Sequence, residues 1–329
     1  MDLSTTYCGL SLPHPLVPGA SPLCDDLDMV RRLEDAGAAA LVLRSLFEEQ
    51  LVGEQMAAFR HMETHAGSMP ESLSFFPETD AFGRAGDDYL EQIRRVKGSV
   101  GVPVIASLNG VTPGGWLDWA ERLVEAGADA LELNVYYVAA DPDETALHVE
   151  QRVLELAAAV KARVTRPMAV KLSPYFSALG HLARELDALG VDGLVLFNRF
   201  YEPDVDPERL AVERRLRLST SDELLLRLHW LAVLSGRVRT SLAVTGGVHT
   251  TLDAVKAVMC GAHVVQMVSA LLLQGPERLA TVREGLAAWL DEHEYDSLAQ
   301  MRGSMSLERC PDPQNYLRLN YMDLLRSWR

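Results

Sequence analysis

One phrase recurs in altered form along this chain and restricts the possible folds more than any other feature. It runs from an acidic helical stretch through a glycine with a small residue into a short apolar run rich in β-branched residues. It stands at Glu34–Leu43 (EDAGAAALVL), Glu125–Leu133 (EAGADALEL), Asp187–Leu196 (DALGVDGLVL) and Cys260–Met267 (CGAHVVQM). Each glycine sits where a helix ends in a left-handed residue. The apolar runs that follow alternate poorly, as expected of parallel strands buried on both faces. Further runs at Pro15–Pro18, Val102–Leu108, Pro167–Leu172 and Leu242–Thr245 bring the candidate strands to eight.

Amphipathic stretches at Trp116–Ala126, Glu144–Ala162, Leu179–Leu189, Ser221–Leu234 and Thr251–Val258 read as the intervening helices. Eight strands alternating with helices predict an α/β fold, the (β/α)₈ TIM barrel. A doubly wound sheet is the competitor, but no early Gly-rich βα turn of the GxGxxG kind supports it. Residues 1–301 are read as the barrel and 302–329, ending in an aromatic and basic helix from Asn320, as a tail that packs on the barrel or on a second subunit. Two long connections, Gln50–Gly86 and Arg199–Ser219, are expected to cover the active face.

Composition excludes whole classes of function. With 48% hydrophobic residues the chain can fill a large core, and 46 acidic against 31 basic residues leave a net charge of −15. So acidic a surface repels nucleic acid and anionic lipid, so neither partner is expected. Four scattered cysteines (Cys8, Cys24, Cys260, Cys310) form no CxxC pair, which argues against a zinc knuckle, a disulfide framework or an iron–sulfur cluster built by this chain. No signal-like segment opens the chain and no apolar run approaches a membrane span, so a cytoplasmic location is expected.

In a barrel of this type the chemistry lies at the C-terminal strand ends, and the residues there are polar. In strand order they are Ala20 and Ser21; Arg44 and Ser45; Asn109; Asn134 with Tyr136 and Tyr137; Lys171; Asn198 and Arg199; Gly246 and Gly247; Val268 and Ser269. Lys171, after the apolar Met168-Ala169-Val170, projects an ammonium at the barrel mouth, either for chemistry or as the partner of a structural carboxylate. Three amides (Asn109, Asn134, Asn198) can give and accept hydrogen bonds to a flat heterocycle without adding charge. The segment Thr245–Thr251 (TGGVHTT) offers two glycines, a Thr N-cap and N–H donors at a helix start for a phosphate; its glycines also suit a mere tight turn. The order of residues in His61–His65 (HMETH) does not match a zinc motif, so no metal site is expected, and His249 and His263 read as structural histidines.

At these residues the chain resembles the class 1 dihydroorotate dehydrogenase family, soluble FMN enzymes on a (β/α)₈ barrel. The likeness runs from Leu3 to about Arg302: LSTTYCGLSLPHPLV, ELN, VKLSPYF, FN, TGGV and SALLLQGP. It implies FMN contacts at Ala20, Ser21, Arg44, Ser45, Asn109, Asn134, Lys171, Gly246, Gly247, Val268 and Ser269, with lysine usual in the place of Arg44. It further implies a charge at Lys171 that stabilises the reduced flavin, hydride transfer from a small-molecule substrate held by Asn134, Asn198 and Arg199, and a homodimer.

The sequence departs from the family at the base. Tyr137 stands where the family has its catalytic cysteine, and a phenol is a poor base at neutral pH. A substrate asparagine has no clear counterpart among Met69–Arg84, and Arg199 replaces a small hydroxyl residue. The expectation is therefore a flavin oxidoreductase with a remodelled substrate site shaped by Tyr136, Tyr137, Arg199 and Tyr201. The alternatives are a flavin-binding electron-transfer subunit working with an iron–sulfur partner, or a flavin-free phosphate-binding lyase or isomerase using Lys171.

Overall fold

A computed structural model describes residues 1–51, 85–112, 114, 117–200, 202–213, 215–313, 317 and 320–327. The histidine segment 61–65, the stretch 69–84, Trp116 and Tyr201 lie outside the described residues.

All eight expected strands form one parallel sheet. In chain order they are β3 (Leu16–Pro18), β4 (Leu41–Phe47), β5 (Val104–Asn109), β6 (Ala130–Asn134), β7 (Met168–Leu172), β8 (Gly193–Leu196), β11 (Ser241–Thr245) and β12 (Val264–Met267). The sheet runs β3-β12-β11-β8-β7-β6-β5-β4, and the Ala39 N–H donates to the Leu16 carbonyl at 3.1 Å to bring its two edges together as a (β/α)₈ barrel. The glycines of the recurring phrase (Gly37, Gly127, Gly190, Gly261) all have positive φ, between +81° and +117°, one residue past a helix C-cap. Strand β4 reaches Phe47, two residues beyond the expected end at Arg44-Ser45, because a register shift between Val42 and Ser45 lets the strand continue past that pair.

Alternation inside each strand separates two cores. Val17, Val42, Ile105, Ala130, Ala169, Val195, Ala243 and Val264 pack together inside the barrel, while neighbours such as Val104, Leu131, Val170, Leu194, Val244 and Val265 join the layer under the helices. A hairpin the sequence did not reveal, β1 (Thr5–Tyr7) with β2 (Leu10–Leu12), closes the barrel floor. Its turn residues Cys8 and Gly9 both have positive φ, and Tyr7, Cys8 and Leu12 pack into the inner core. A second short hairpin, β9 (Asp204–Asp206) with β10 (Ala211–Glu213), lies within the long Arg199–Ser219 connection. After the helix Leu298–Met301 the chain runs along the outer layer, where Gly303 and Met305 donate to the carbonyls of Val258 and Met259. Among the described residues no helix is long and apolar enough to cross a membrane.

A buried histidine, His14, and a half-buried one, His263, make the fold acid-sensitive. The Nδ1 atoms of His14 and His263 accept the backbone N–H groups of Leu16 (3.2 Å) and Leu242 (3.1 Å), which requires that nitrogen unprotonated. Burial, with Arg283 near His14 and Arg302 near His263, pushes both rings down to about 4. Above pH 6.5 both rings are neutral folded or unfolded, and their contribution is complete. As pH falls from 6.5 toward 4 the unfolded chain binds protons first, and stability is lost. Urea unfolding is expected to show about 2–3 kcal/mol lost per histidine between pH 7 and 4.5, a loss that His263→Asn removes for its own site.

Candidate functional site

The same alternation that fills the barrel floor with alanine and valine places polar side chains one layer higher. On β6 the inward residues are Ala130, Glu132 and Asn134; on β7 they are Ala169 and Lys171; on β12 they are Val264 and Gln266. Lys171 Nζ donates to Glu132 Oε1 at 3.2 Å, and Gln266 Nε2 donates to Glu132 Oε2 at 2.7 Å. Lys171 and Glu132 are only 7% and 1% exposed, so the pair has little solvent to screen it. Glu132 and Gln266 were not recognised from sequence, although two-residue spacing from Asn134 and Val268 points to both.

Above this layer a cleft of about 700 Å³, counted to its open mouth, lies at the C-terminal strand ends. Of the residues expected there, Ala20, Ser21, Lys171, Asn198, Arg199, Gly246, Val268 and Ser269 line it. Leu216, Leu218 and Ser219 of the long connection complete the wall. Asn109 and Asn134 are buried and paired across β5 and β6. Ser45 Oγ bonds Ser107 Oγ at 2.7 Å, and the guanidinium of Arg44 pairs with Asp25 at 2.8 Å. None of these four is on the cleft wall.

Gly247 donates its N–H to Ser219 Oγ at 3.1 Å, and Ser219 Oγ lies 2.9 Å from Ser269 Oγ. The helix start expected to hold a phosphate is already occupied: Asp253 Oδ2 accepts from the N–H groups of His249 (3.0 Å) and Thr250 (2.9 Å) and from Ser221 Oγ (2.7 Å). Burial works to raise that carboxyl's pKa, but these hydrogen bonds hold it below the usual value. An anion at this helix start would meet a carboxylate, so the available donors are the serine hydroxyls and the glycine backbone.

Arg227, also unrecognised from sequence, reaches the cleft from the helix Leu224–Leu234. Its Nε donates to the Thr245 carbonyl at 2.5 Å and its Nη1 to the Glu223 carbonyl at 2.6 Å. Burial pulls the guanidinium below its ordinary pKa.

Tyr137 is not brought to Lys171. It lines a second, more apolar cleft with Val135, Val149, Val153, Tyr175 and Phe200. Its hydroxyl donates to Glu144 Oε2 at 2.6 Å, the Arg152 guanidinium stands 4.3 Å from its ring centroid, and Arg152 also pairs with Glu144.

Among the described residues, Ser21 Oγ on the cleft wall, and Asn134 Oδ1 and Gln266 Oε1 just off it, are buried without a hydrogen-bond partner. Orphaned polar atoms at a barrel mouth fit a polar, donor-bearing ring such as a flavin. Fold and cleft together define a (β/α)₈ barrel with an open cleft at the C-terminal strand ends, the face where barrels of this kind carry their ligand sites.

The family model described as dihydroorotate dehydrogenase matches residues 3–290, and the chain belongs to that family. It is 26% identical over 318 residues to the dihydroorotate dehydrogenase B (NAD(+)) catalytic subunit of Thermoplasma acidophilum, covering 92% of this chain and 98% of the relative. The counterpart of Methanosarcina mazei is 27% identical over 312 residues, covering 92% and 94%. The NAD-dependent dihydropyrimidine dehydrogenase subunit PreA of Escherichia coli is 24% identical over 334 residues, covering 92% and 76%. The chain is thus a dihydroorotate dehydrogenase-like oxidoreductase.

Proposed function

We propose that this chain binds FMN in the Lys171 cleft and passes hydride to it from a small CH–CH donor related to dihydroorotate. The observation that carries the reading is the buried Lys171 ammonium on the cleft wall, held by Glu132 and flanked by Ser21, Gly246 and Ser269. The chemistry FMN supplies is acceptance of hydride. Lys171 would place positive charge beside the ring where negative charge develops on reduction, and its hydrogen bond to Glu132 fixes its position beforehand. Gly246, Gly247, Val268 and Ser269 would hold the phosphate end and Ala20 and Ser21 would meet the ring, while Asn109, Asn134, Arg44 and Ser45, which stand off the cleft wall, would support the site from behind. Asn198 and Arg199 would orient the substrate.

The test is direct. Purified protein incubated with FMN should turn yellow, and anaerobic dihydroorotate should bleach it. A protein that stays colourless would end the flavin reading.

The placement of Tyr137 favours a second reading, a flavin-binding subunit that passes electrons to a partner carrying an iron–sulfur centre. Its hydroxyl is committed to Glu144, away from Lys171. Tyr137→Phe is expected to leave the flavin reduction rate within about twofold and to lower stability by about 1 kcal/mol through the lost hydrogen bond. Stopped-flow reduction that collapses in this variant would make Tyr137 the base after all.

A further inference from the structure

The charges around the cleft do not balance. Lys171 is matched by Glu132 at 3.2 Å, and Arg199 by Glu223 at 3.4 Å. Arg227 is only 7% exposed, yet no carboxylate among the described residues lies within ion-pair distance of it, and its guanidinium donates to two backbone carbonyls. The Glu223 carboxylate acts on it only from beyond ion-pair distance and is itself engaged by Arg199 and the Thr220 N–H. A buried cation without its own counter-ion is costly unless an anion completes the site.

Geometry says where that anion goes. Nε and Nη1 donate to the carbonyls of Thr245 and Glu223, which orients the guanidinium plane and leaves Nη2 beside Gly246. A Cβ placed on Gly246 would stand 2.8 Å from Nη2. Arg227 and Gly246 line the same cleft as Ser219 and Ser269, whose hydroxyls have only each other and the Gly247 N–H for partners beyond the Ser219 N–H. Hydroxyls and backbone N–H groups supply hydrogen bonds but no net charge. The neighbouring helix start is closed to anions by Asp253.

We propose that Arg227 is the charged anchor for the phosphate monoester of the ligand in this cleft, and so determines that the cleft takes a phosphorylated flavin in preference to the bare one. The assignment rests on the flavin reading above only in naming FMN as the bearer of the phosphate; the uncompensated guanidinium calls for an anion whatever ring is attached. Arginine suits the task because one edge of its fork can be fixed by the protein while the other meets phosphate oxygens.

The experiment uses flavin-free full-length protein, with wild type, Arg227→Met and Arg227→Lys compared side by side. Flavin affinity is read by fluorescence quenching with FMN and with riboflavin, and inorganic phosphate is tested separately for thermal stabilisation. Wild type should prefer FMN over riboflavin by about a hundredfold, and Arg227→Met should cut that preference by roughly thirtyfold while leaving riboflavin affinity unchanged. Arg227→Lys should fall between them, because an ammonium cannot keep both carbonyls and still present a planar edge. Phosphate should stabilise wild type and not Arg227→Met.

If wild type binds neither flavin but is stabilised by phosphate through Arg227, the flavin reading falls and the Arg227 assignment stands. A folded Arg227→Met protein with unchanged FMN preference and phosphate response overturns the assignment, as does a wild type indifferent to phosphate in both assays. Should Arg227→Met fail to fold, Arg227→Lys decides: an altered FMN-to-riboflavin ratio supports the anchor, and an unaltered one refutes it.

Discussion

Lys171→Ala should slow flavin reduction by two to three orders of magnitude, about the loss found when one preorganised charged donor is removed from a developing anion. The same change strands Glu132, whose carboxylate is 1% exposed and then keeps only Gln266 as a partner. Breaking a buried pair from one side costs roughly 3–5 kcal/mol, so this variant should also be markedly less stable. Lys171→Ala combined with Glu132→Gln separates the two effects. It removes both charges and keeps an amide for Gln266, so urea unfolding should return most of the stability while stopped-flow reduction stays slow. Recovery of the rate along with the stability would show that Lys171 acts only on the fold.

The second large effect is expected at Gly247→Ala. This residue has φ +83°, and a Cβ there would stand 2.6 Å from the Leu224 backbone nitrogen and 2.9 Å from its Cα. A left-handed alanine costs about 1–2 kcal/mol and pressing a methyl into the helix backbone adds about 1–3 more. A Tm lower by roughly 3–7 °C follows for a chain of this size. Gly246→Ala has a similar φ, but the atoms it would meet are the guanidinium end of Arg227, which can shift. It should cost less in Tm and more in FMN affinity. Equal thermal losses in the two variants would contradict this distinction between a backbone and a side-chain obstacle.

The barrel was legible because four strands are dense apolar runs opened by a helix-ending glycine and four more are similar runs between helical stretches, and parallel strands buried on both faces carry that signal without alternation. The strands at Thr5–Tyr7 and Leu10–Leu12 were not, since three residues give no period to read and the Cys8-Gly9 turn resembles any loop. At the site, strand ends gave Lys171, Asn198 and Ser269 because polar residues after apolar runs stand out. Glu132 and Gln266 lie inside the runs, where ALEL and VVQM look like ordinary strand with one polar interruption. Arg227 sits in LLLRLHW, where an arginine on a helix passes for a solvated position; only the packing of that helix against β11 turns it inward. A Thr N-cap was legible, but the full part of Asp253 in closing the helix start was not, because one of its donors, Ser221, comes from a segment about thirty residues away.

The sealed floor carries a lesson about biosynthesis. Cys8 donates its N–H to Ser241 Oγ at 3.2 Å, Thr5 Oγ1 donates to the His263 carbonyl at 2.9 Å, and Arg302 Nη2 donates to Thr5 Oγ1 at 2.8 Å. The hairpin therefore takes its hydrogen-bond partners from segments 233 to 297 residues further along the chain. Until Ser241 and His263 are in place the floor is open beneath Tyr7 and Leu12, and a chain cut short before Arg302 would keep the closed barrel but lose the hydrogen bond that pins Thr5 from outside.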